Sequence, residues 1–205
     1  MYTKIDEGCH LGLCGCSYAT DFDSHNYGTQ WLENHKDSTM TNEDLWCNRF
    51  IGQASFRNFS FGGSSNYAIY QQIKKALEYN CDYILVFWSN TNRFNAFWKD
   101  GHPSVVPKSK SEQDYRKKYF SPYFQKFFSY LLVMDAARLL DLHSVKYKFF
   151  LWKGQGFPWP EAKDYPNTSI FHPAQLDESL HSNTSPNHLN EKGQAVVNEE
   201  LNLHL

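Results

Sequence analysis

The sequence predicts an α/β fold: a three-layer α/β/α sandwich around a mainly parallel central sheet. Two apolar runs and the spacing between elements predict it. Asp82 to Ser89 (DYILVFWS) is a continuous apolar run bounded by polar residues, the pattern of a parallel strand buried on both faces. Val145 to Trp152 (VKYKFFLW) reads as another strand. Segments of helical periodicity separate the strand-like runs, and that alternation is what a parallel sheet with crossover helices requires.

The elements follow in order. Leu11 to Tyr18 is a short apolar stretch, rich in Gly and Cys, that reads as a first strand running into a polar loop from Ala19 to Thr29. NEDLWCNRF, from Asn42 to Phe50, opens on a capping-type Asn with acids in its first turn and reads as a helix. RNFSF is a short β-like segment, and the turn GGSSN (Gly62 to Asn66) follows it. In YAIYQQIKKALEYN the residues Ile69, Ile73, Ala76 and Leu77 make a helical stripe. Beyond DYILVFWS, a polar loop from Asn90 to Ser111 leads to a long aromatic-rich helical region, interrupted near Pro122 and continuing through FQKFFSYLLVMDAARLLDL. Its broad apolar surface predicts packing on the sheet, with the aromatic run from Tyr115 to Tyr130 in the core. EKGQAVVNEEL reads as the closing helix.

Composition bounds the function. The 205 residues suit one domain over positions 1–205, and 41% hydrophobic residues, among them 16 Phe, 13 Tyr and 6 Trp, suffice for a core without staples. Twenty Lys plus Arg stand against 22 Asp plus Glu, so no basic field exists to drive phosphate-backbone binding, and nucleic acid is not the expected partner. The one locally basic stretch, KSKSEQDYRKKY, reads as a solvated helix face. The N-terminus lacks a basic region followed by an apolar one, and no run reaches the roughly 20 apolar residues of a membrane span, which predicts a soluble, cytoplasmic protein. Five cysteines, an odd number, argue for thiols in a reducing compartment. Cys9, Cys14 and Cys16 cluster with His10, but their spacing is poor for zinc, and no metal site is expected.

In α/β folds ligands bind where strands end and loops begin, so polar residues following the apolar runs carry the candidate chemistry. GCSY (Gly15 to Tyr18), FGGSSN (Phe61 to Asn66) and WSNTN (Trp88 to Asn92) occupy such places, and SPNHLNEKG (Ser185 to Gly193) precedes the last helix. A G-x-S-x-G elbow is not satisfied, because Ala19 stands at its final position.

These four clusters, in this order, resemble the four sequence blocks of the SGNH (GDSL-like) hydrolase family, over about residues 11–200, and look closest to its divergent phage-type members. The resemblance implies an SGNH, flavodoxin-like sandwich and a serine hydrolase with Ser17 as nucleophile and His188 as general base. A serine hydroxyl attacks at neutral pH only when a base takes its proton, and His has the pKa suited to that task. The resemblance also implies an oxyanion hole made by the backbone N–H groups of Ser17 and Gly63 and a side-chain amide, from Asn90 or alternatively Asn92. Arg93 and Trp98 are candidate substrate contacts. Gly63 is a turn glycine in either case, and Asn66 reads as a helix-start residue.

Two departures from the family stand out. Cys16 replaces the Asp of the GDS motif, and Ser185 replaces the Asp three residues before the catalytic His. The second removes the group that would orient His188. A Ser–His dyad, a backbone carbonyl as acceptor, an acid from elsewhere such as Asp164 or Asp177, and loss of catalysis are the alternatives. The resulting expectation is an esterase or deacylase that removes O-acetyl or another small acyl group from a carbohydrate or small-molecule ester, with no cofactor. The alternative is an inactive SGNH-fold binding or virion protein. Segments 94–111 and 152–161, with their Trp residues, are long enough to wall a pocket.

Overall fold

The computed structural model describes residues 9–16, 19, 47, 55–61, 64–91, 96–97, 103–104, 110, 114, 118, 121–152, 167–171 and 190–204. Along the chain these form β1 (His10–Cys14), β2 (Ser55–Asn58), α1 (Asn66–Glu78), β3 (Tyr83–Phe87), β4 (Ala96–Phe97), β5 (Pro103–Ser104), α2 (Pro122–Leu142), β6 (Lys146–Trp152), β7 (Thr168–Phe171) and α3 (Glu191–His204). Five of the strands make one parallel sheet in the order β2-β1-β3-β6-β7, and β4 with β5 makes a small antiparallel pair. The chain steps from β1 to β2 on one side and returns through α1 to β3 on the other. That reversal is the flavodoxin-like switch point, at the carboxyl ends of β1 and β3, where open α/β sheets bind their ligands.

Register follows from alternation along the strands. Leu11 pairs with Tyr83, and Tyr83 with Lys146. Cys14, Ile84, Val86, Trp88, Tyr147, Phe149 and Leu151 share one core with Ile69, Ile73 and Ala76 of α1 and Leu132, Val133, Ala136, Ala137 and Leu140 of α2. The alternate residues, Leu11, Leu13, Leu85, Phe87 and Phe150, are wholly buried on the opposite face. Phe87 stacks on its register partner Phe150 with centroids 4.5 Å apart, and Trp88 meets Phe149 edge-on at 5.5 Å. Both faces of the sheet are therefore covered, as continuous apolar strands demand.

Both crossover helices start and stop by the same local chemistry. Ser65 caps α1, its Oγ accepting from the Ala68 N–H at 3.2 Å, and Ser121 caps α2 by accepting from the Phe124 N–H at 3.0 Å, with Pro122 following it. At the far ends Asn80 and Ser144, both at φ 55°, turn the chain into β3 and β6. The Cys81 N–H reaches back to the Ala76 carbonyl and the Val145 N–H to that of Leu140, so each helix closes in a Schellman motif. At this entry edge Asp82 joins three strands. Its carboxylate accepts from the His10 N–H at 2.9 Å, its N–H donates to the His10 carbonyl, and its carbonyl accepts from Lys146 N–H.

Three sequence expectations need correction. The strand expected at RNFSF spans Ser55–Asn58, so Phe59, Ser60 and Phe61 belong to its exit. β7 was not anticipated: it is a four-residue strand at the sheet edge, too short to show a period. The aromatic run is core over little of its described part: Tyr123, Phe124, Phe127 and Phe128 are exposed while Gln125 and Ser129 face inward, and among its described aromatics only the half-buried Tyr130 packs against the core. Only the second half of α2 packs as expected. In the first half an inward polar partner is needed, since Ser129 Oγ receives the Asn66 side-chain amide at 3.0 Å. The helix expected at Asn42 to Phe50 lies outside the described residues except for Cys47, which is buried. No helix among the described residues is long and apolar enough to cross a membrane.

Candidate active site

The exits of β1, β2 and β3 lie side by side at the carboxyl edge of the sheet. The β1–β2 ladder runs on past the strand ends, with Phe59 N–H to Leu13 carbonyl at 2.8 Å and Phe61 N–H to Gly15 carbonyl at 3.2 Å. On the other side the Trp88 N–H reaches the Phe150 carbonyl at 3.1 Å. The residues that begin the three predicted blocks are thus extensions of the sheet, held in its register.

Around Gly15 the packing leaves no room for a side chain. A Cβ there would lie 2.8 Å from that of Ala19 and 3.2 Å from that of Phe87. The turn that follows is closed by the Ala19 N–H donating to the Cys16 carbonyl at 2.8 Å. Asn58, the last residue of β2, holds it from the side: its Nδ2 donates to the Ala19 carbonyl at 2.8 Å and its Oδ1 accepts from the Ser60 N–H at 2.9 Å. Cys16 is 1% exposed. A carboxylate so buried would need charged or hydrogen-bonding partners, a demand that a thiol does not make.

Two amide side chains on α1 join the strand exits. Gln72 Oε1 accepts from the Gly15 N–H at 2.8 Å, and its Nε2 donates to Ser64 Oγ at 2.9 Å. Ser64 Oγ in turn donates to the Phe61 carbonyl at 2.7 Å. Asn66, buried at the start of α1, accepts the Ser89 N–H on Oδ1 at 2.7 Å while its Nδ2 donates to Ser129. Asn66 is therefore a helix-start residue, as expected, whose side chain fixes the exit of β3 to α1 and α2. Sequence reasoning did not find Gln72, Ser64 or Asn58, whose only signal is a polar residue within a helix stripe or beside a strand end.

Some buried polar atoms at this edge have no hydrogen-bond partner among the described residues. They include Ser60 Oγ at the exit of β2, and Trp88 Nε1 and Ser89 Oγ at the exit of β3. Such groups are rare in a packed interior.

Of the predicted site residues, Asn90 is described: it is partly buried, three positions beyond β3 and next to the Ser89 that Asn66 holds. Ser17, Gly63, Asn92, Arg93, Trp98 and His188 lie outside the described residues, as do Asp164, Asp177 and Ser185. Their described neighbours are Cys16, Ser64, Thr91 and Asn190. Asn190 caps α3, with its Oδ1 accepting from the Gly193 N–H at 3.0 Å.

None of the five cysteines is in a disulfide. At the end of β1, burial, followed by the neighbouring Cys81, pushes the Cys14 thiol well above its ordinary range. Burial likewise raises Cys81 to about 11, with Asp82 adding to the effect. Among the described residues no group of three or more His, Cys, Asp or Glu side chains is placed to hold a metal.

No protein-family model matches the sequence, and no curated protein matches it significantly. Solved structures do. The chain is similar to an α/β hydrolase enzyme, LAE5, from the metagenome of Lake Arreo, Spain, with a TM-score of 0.53 at 12% identity, covering 99% of this chain and 97% of that one. It is also similar to a Bacteroides fragilis protein provisionally described as an acylhydrolase, with a TM-score of 0.50 at 8% identity, covering 98% and 89%. At these identities the likeness establishes a shared α/β fold.

Proposed function

We propose that the protein is a serine hydrolase of the SGNH kind, an esterase or deacylase acting on a small acyl group such as an O-acetyl ester of a carbohydrate. The observation that carries this reading is the bonding of three strand exits at the switch point. The chain entering Ser17, the chain leaving Gly63 and the chain entering Asn90 are tied to one another through Gln72 and Asn66. These are the three blocks that the SGNH resemblance assigns to nucleophile and oxyanion hole. The descriptions carried by the two structural neighbours, an α/β hydrolase enzyme and an acylhydrolase, point the same way.

In the proposed reaction Ser17 Oγ attacks the ester carbonyl as His188 takes its proton. The carbonyl oxygen becomes an oxyanion that accepts from the backbone N–H groups of Ser17 and Gly63 and from the Asn90 amide, with Asn92 as the alternative. Collapse of the intermediate expels the alcohol, which takes the proton from His188. Water, deprotonated by the same His, then releases the acyl group as the acid and restores Ser17. Arg93 and Trp98 would contact the substrate. With Ser185 where the family has Asp, His188 works in a dyad or with another acceptor, and turnover is slower by up to about 10⁴ than with an intact triad.

Hydrolysis of p-nitrophenyl acetate by the wild type, Ser17→Ala and His188→Ala between pH 5 and 9 tests the proposal. Wild-type activity rising through a His-like pKa, with both variants at background, is the expected result. Equal rates for all three proteins would favour the second reading, an SGNH-fold binding protein, which the Ser at position 185 supports.

A further inference from the structure

We infer that Gln72 is a positioning residue for the proposed reaction, setting the two backbone donors of the oxyanion hole at a fixed separation; the inference rests on the serine-hydrolase reading above. β1 and β2 share their last ladder bond between Phe61 N–H and Gly15 carbonyl. The Gly15 N–H is taken by the Gln72 side chain instead. From Gln72 the circuit passes to Ser64 Oγ, from Ser64 to the Phe61 carbonyl, and from the Phe61 N–H back to Gly15. Four hydrogen bonds, at 2.8, 2.9, 2.7 and 3.2 Å, close a ring through both loops.

The ring members bracket the chemistry. Ser17 follows Gly15 by two residues, and Gly63 immediately precedes Ser64. Helix side chains tilt toward the helix N-terminus, so a residue in the second turn of α1 reaches back to the loops that precede it. A planar amide holds a carbonyl oxygen and an NH2 group at a set distance, and each makes one bond of the circuit. Gln72 is a rigid spacer between the two loops and does not itself meet the substrate. Oxyanion-hole donors act only when both lie about 2.7–3.1 Å from the developing charge, so a relative slip of the loops impairs them together.

Gln72→Met keeps the shape of the side chain and removes both hydrogen bonds. Gln72→Glu retains the acceptor for the Gly15 N–H and loses the donor to Ser64. With p-nitrophenyl acetate, Gln72→Met is expected to lower kcat by about 10- to 100-fold, the range of a misplacement near 1 Å, with KM within about threefold of wild type. Gln72→Glu is expected to fall between the two. The rate of Ser17 labelling by a fluorophosphonate probe should drop in parallel. Ile73→Val, a core truncation on the same helix, serves as the control: it lowers Tm and leaves kcat unchanged at 25 °C. Wild-type kcat in a folded Gln72→Met variant, or a loss confined to KM, would overturn the positioning role while Ser17→Ala still reports the enzyme. A wild type that neither turns over the ester nor takes the probe would overturn both readings at once.

Discussion

Replacing Gly15 by Ala tests whether the exit of β1 is packed as tightly as described. The added methyl would stand 2.8 Å from the Ala19 Cβ and 3.2 Å from the Phe87 Cβ, against an optimum of about 3.5–4.0 Å for carbon pairs. Ala19 and Phe87 are both fully buried, and Phe87 is pinned against Phe150, so neither yields freely. Overpacking of this kind costs about 1–3 kcal/mol. A Gly→Ala change also restricts the unfolded chain, which returns about 0.4–1 kcal/mol. The net expectation is a loss of about 1.5 kcal/mol, or about 3–6 °C in Tm for a chain of this length. Urea titration followed by tryptophan fluorescence measures it, as a lower midpoint at unchanged slope. The double variant Gly15→Ala/Ala19→Gly removes the shorter contact and should exceed the sum of the single changes in stability by about 1 kcal/mol. A stabilised Gly15→Ala protein, as chain entropy alone would produce, or strict additivity in the cycle, would refute the packing argument.

Asn66→Ala strips a buried N–H of Ser89 of its acceptor and Ser129 of its donor, and is expected to cost about 2–4 kcal/mol in urea unfolding; a loss below about 0.5 kcal/mol would contradict the bridge. The buried thiols give an alkaline signature. Cys14 and Cys81 hold their protons more tightly folded than unfolded, so their contribution is complete below the unfolded thiol value of about 8.5; that of Cys81 is lost as pH rises through about 11, and that of Cys14 as pH rises through its own raised value. The urea midpoint should fall between about pH 9 and 11, less steeply in Cys81→Ala, and a flat profile would count against the burial. Ser121→Ala removes the cap of α2 and should cost about 1 kcal/mol, seen as a lower urea midpoint; an unchanged midpoint would mean that the Phe124 N–H is as well served by water.

The central strand β3 was legible because burial on both faces writes itself as an uninterrupted apolar run, Tyr83–Phe87, whereas in β6 Lys146 and Lys148 interrupt the run and Phe149–Trp152 carries the signal. Edge strands carry less of that signal. β2 alternates exposed and half-buried residues, so it starts two residues and ends three residues before the RNFSF reading, and β7 passed unnoticed. The helix stripe of α1 was readable from Ile69, Ile73 and Ala76, all buried. α2 misled because its first half inverts the usual pattern, turning Phe124 and Phe127 outward so that Ser129 can meet Asn66. The candidate site was legible as places, the polar residues just past apolar runs, since the topology brings those ends together. It was not legible as a network. Gln72 is one more polar residue on a helix until the fold sets it beneath Gly15 and Ser64.

The most direct test of the serine-hydrolase account is covalent labelling by a fluorophosphonate probe, with the modified residue located by peptide mass spectrometry. The account predicts one equivalent per chain on Ser17, abolished by Ser17→Ala and strongly slowed by His188→Ala. Labelling at a different residue, or none in a folded wild-type protein, would contradict it.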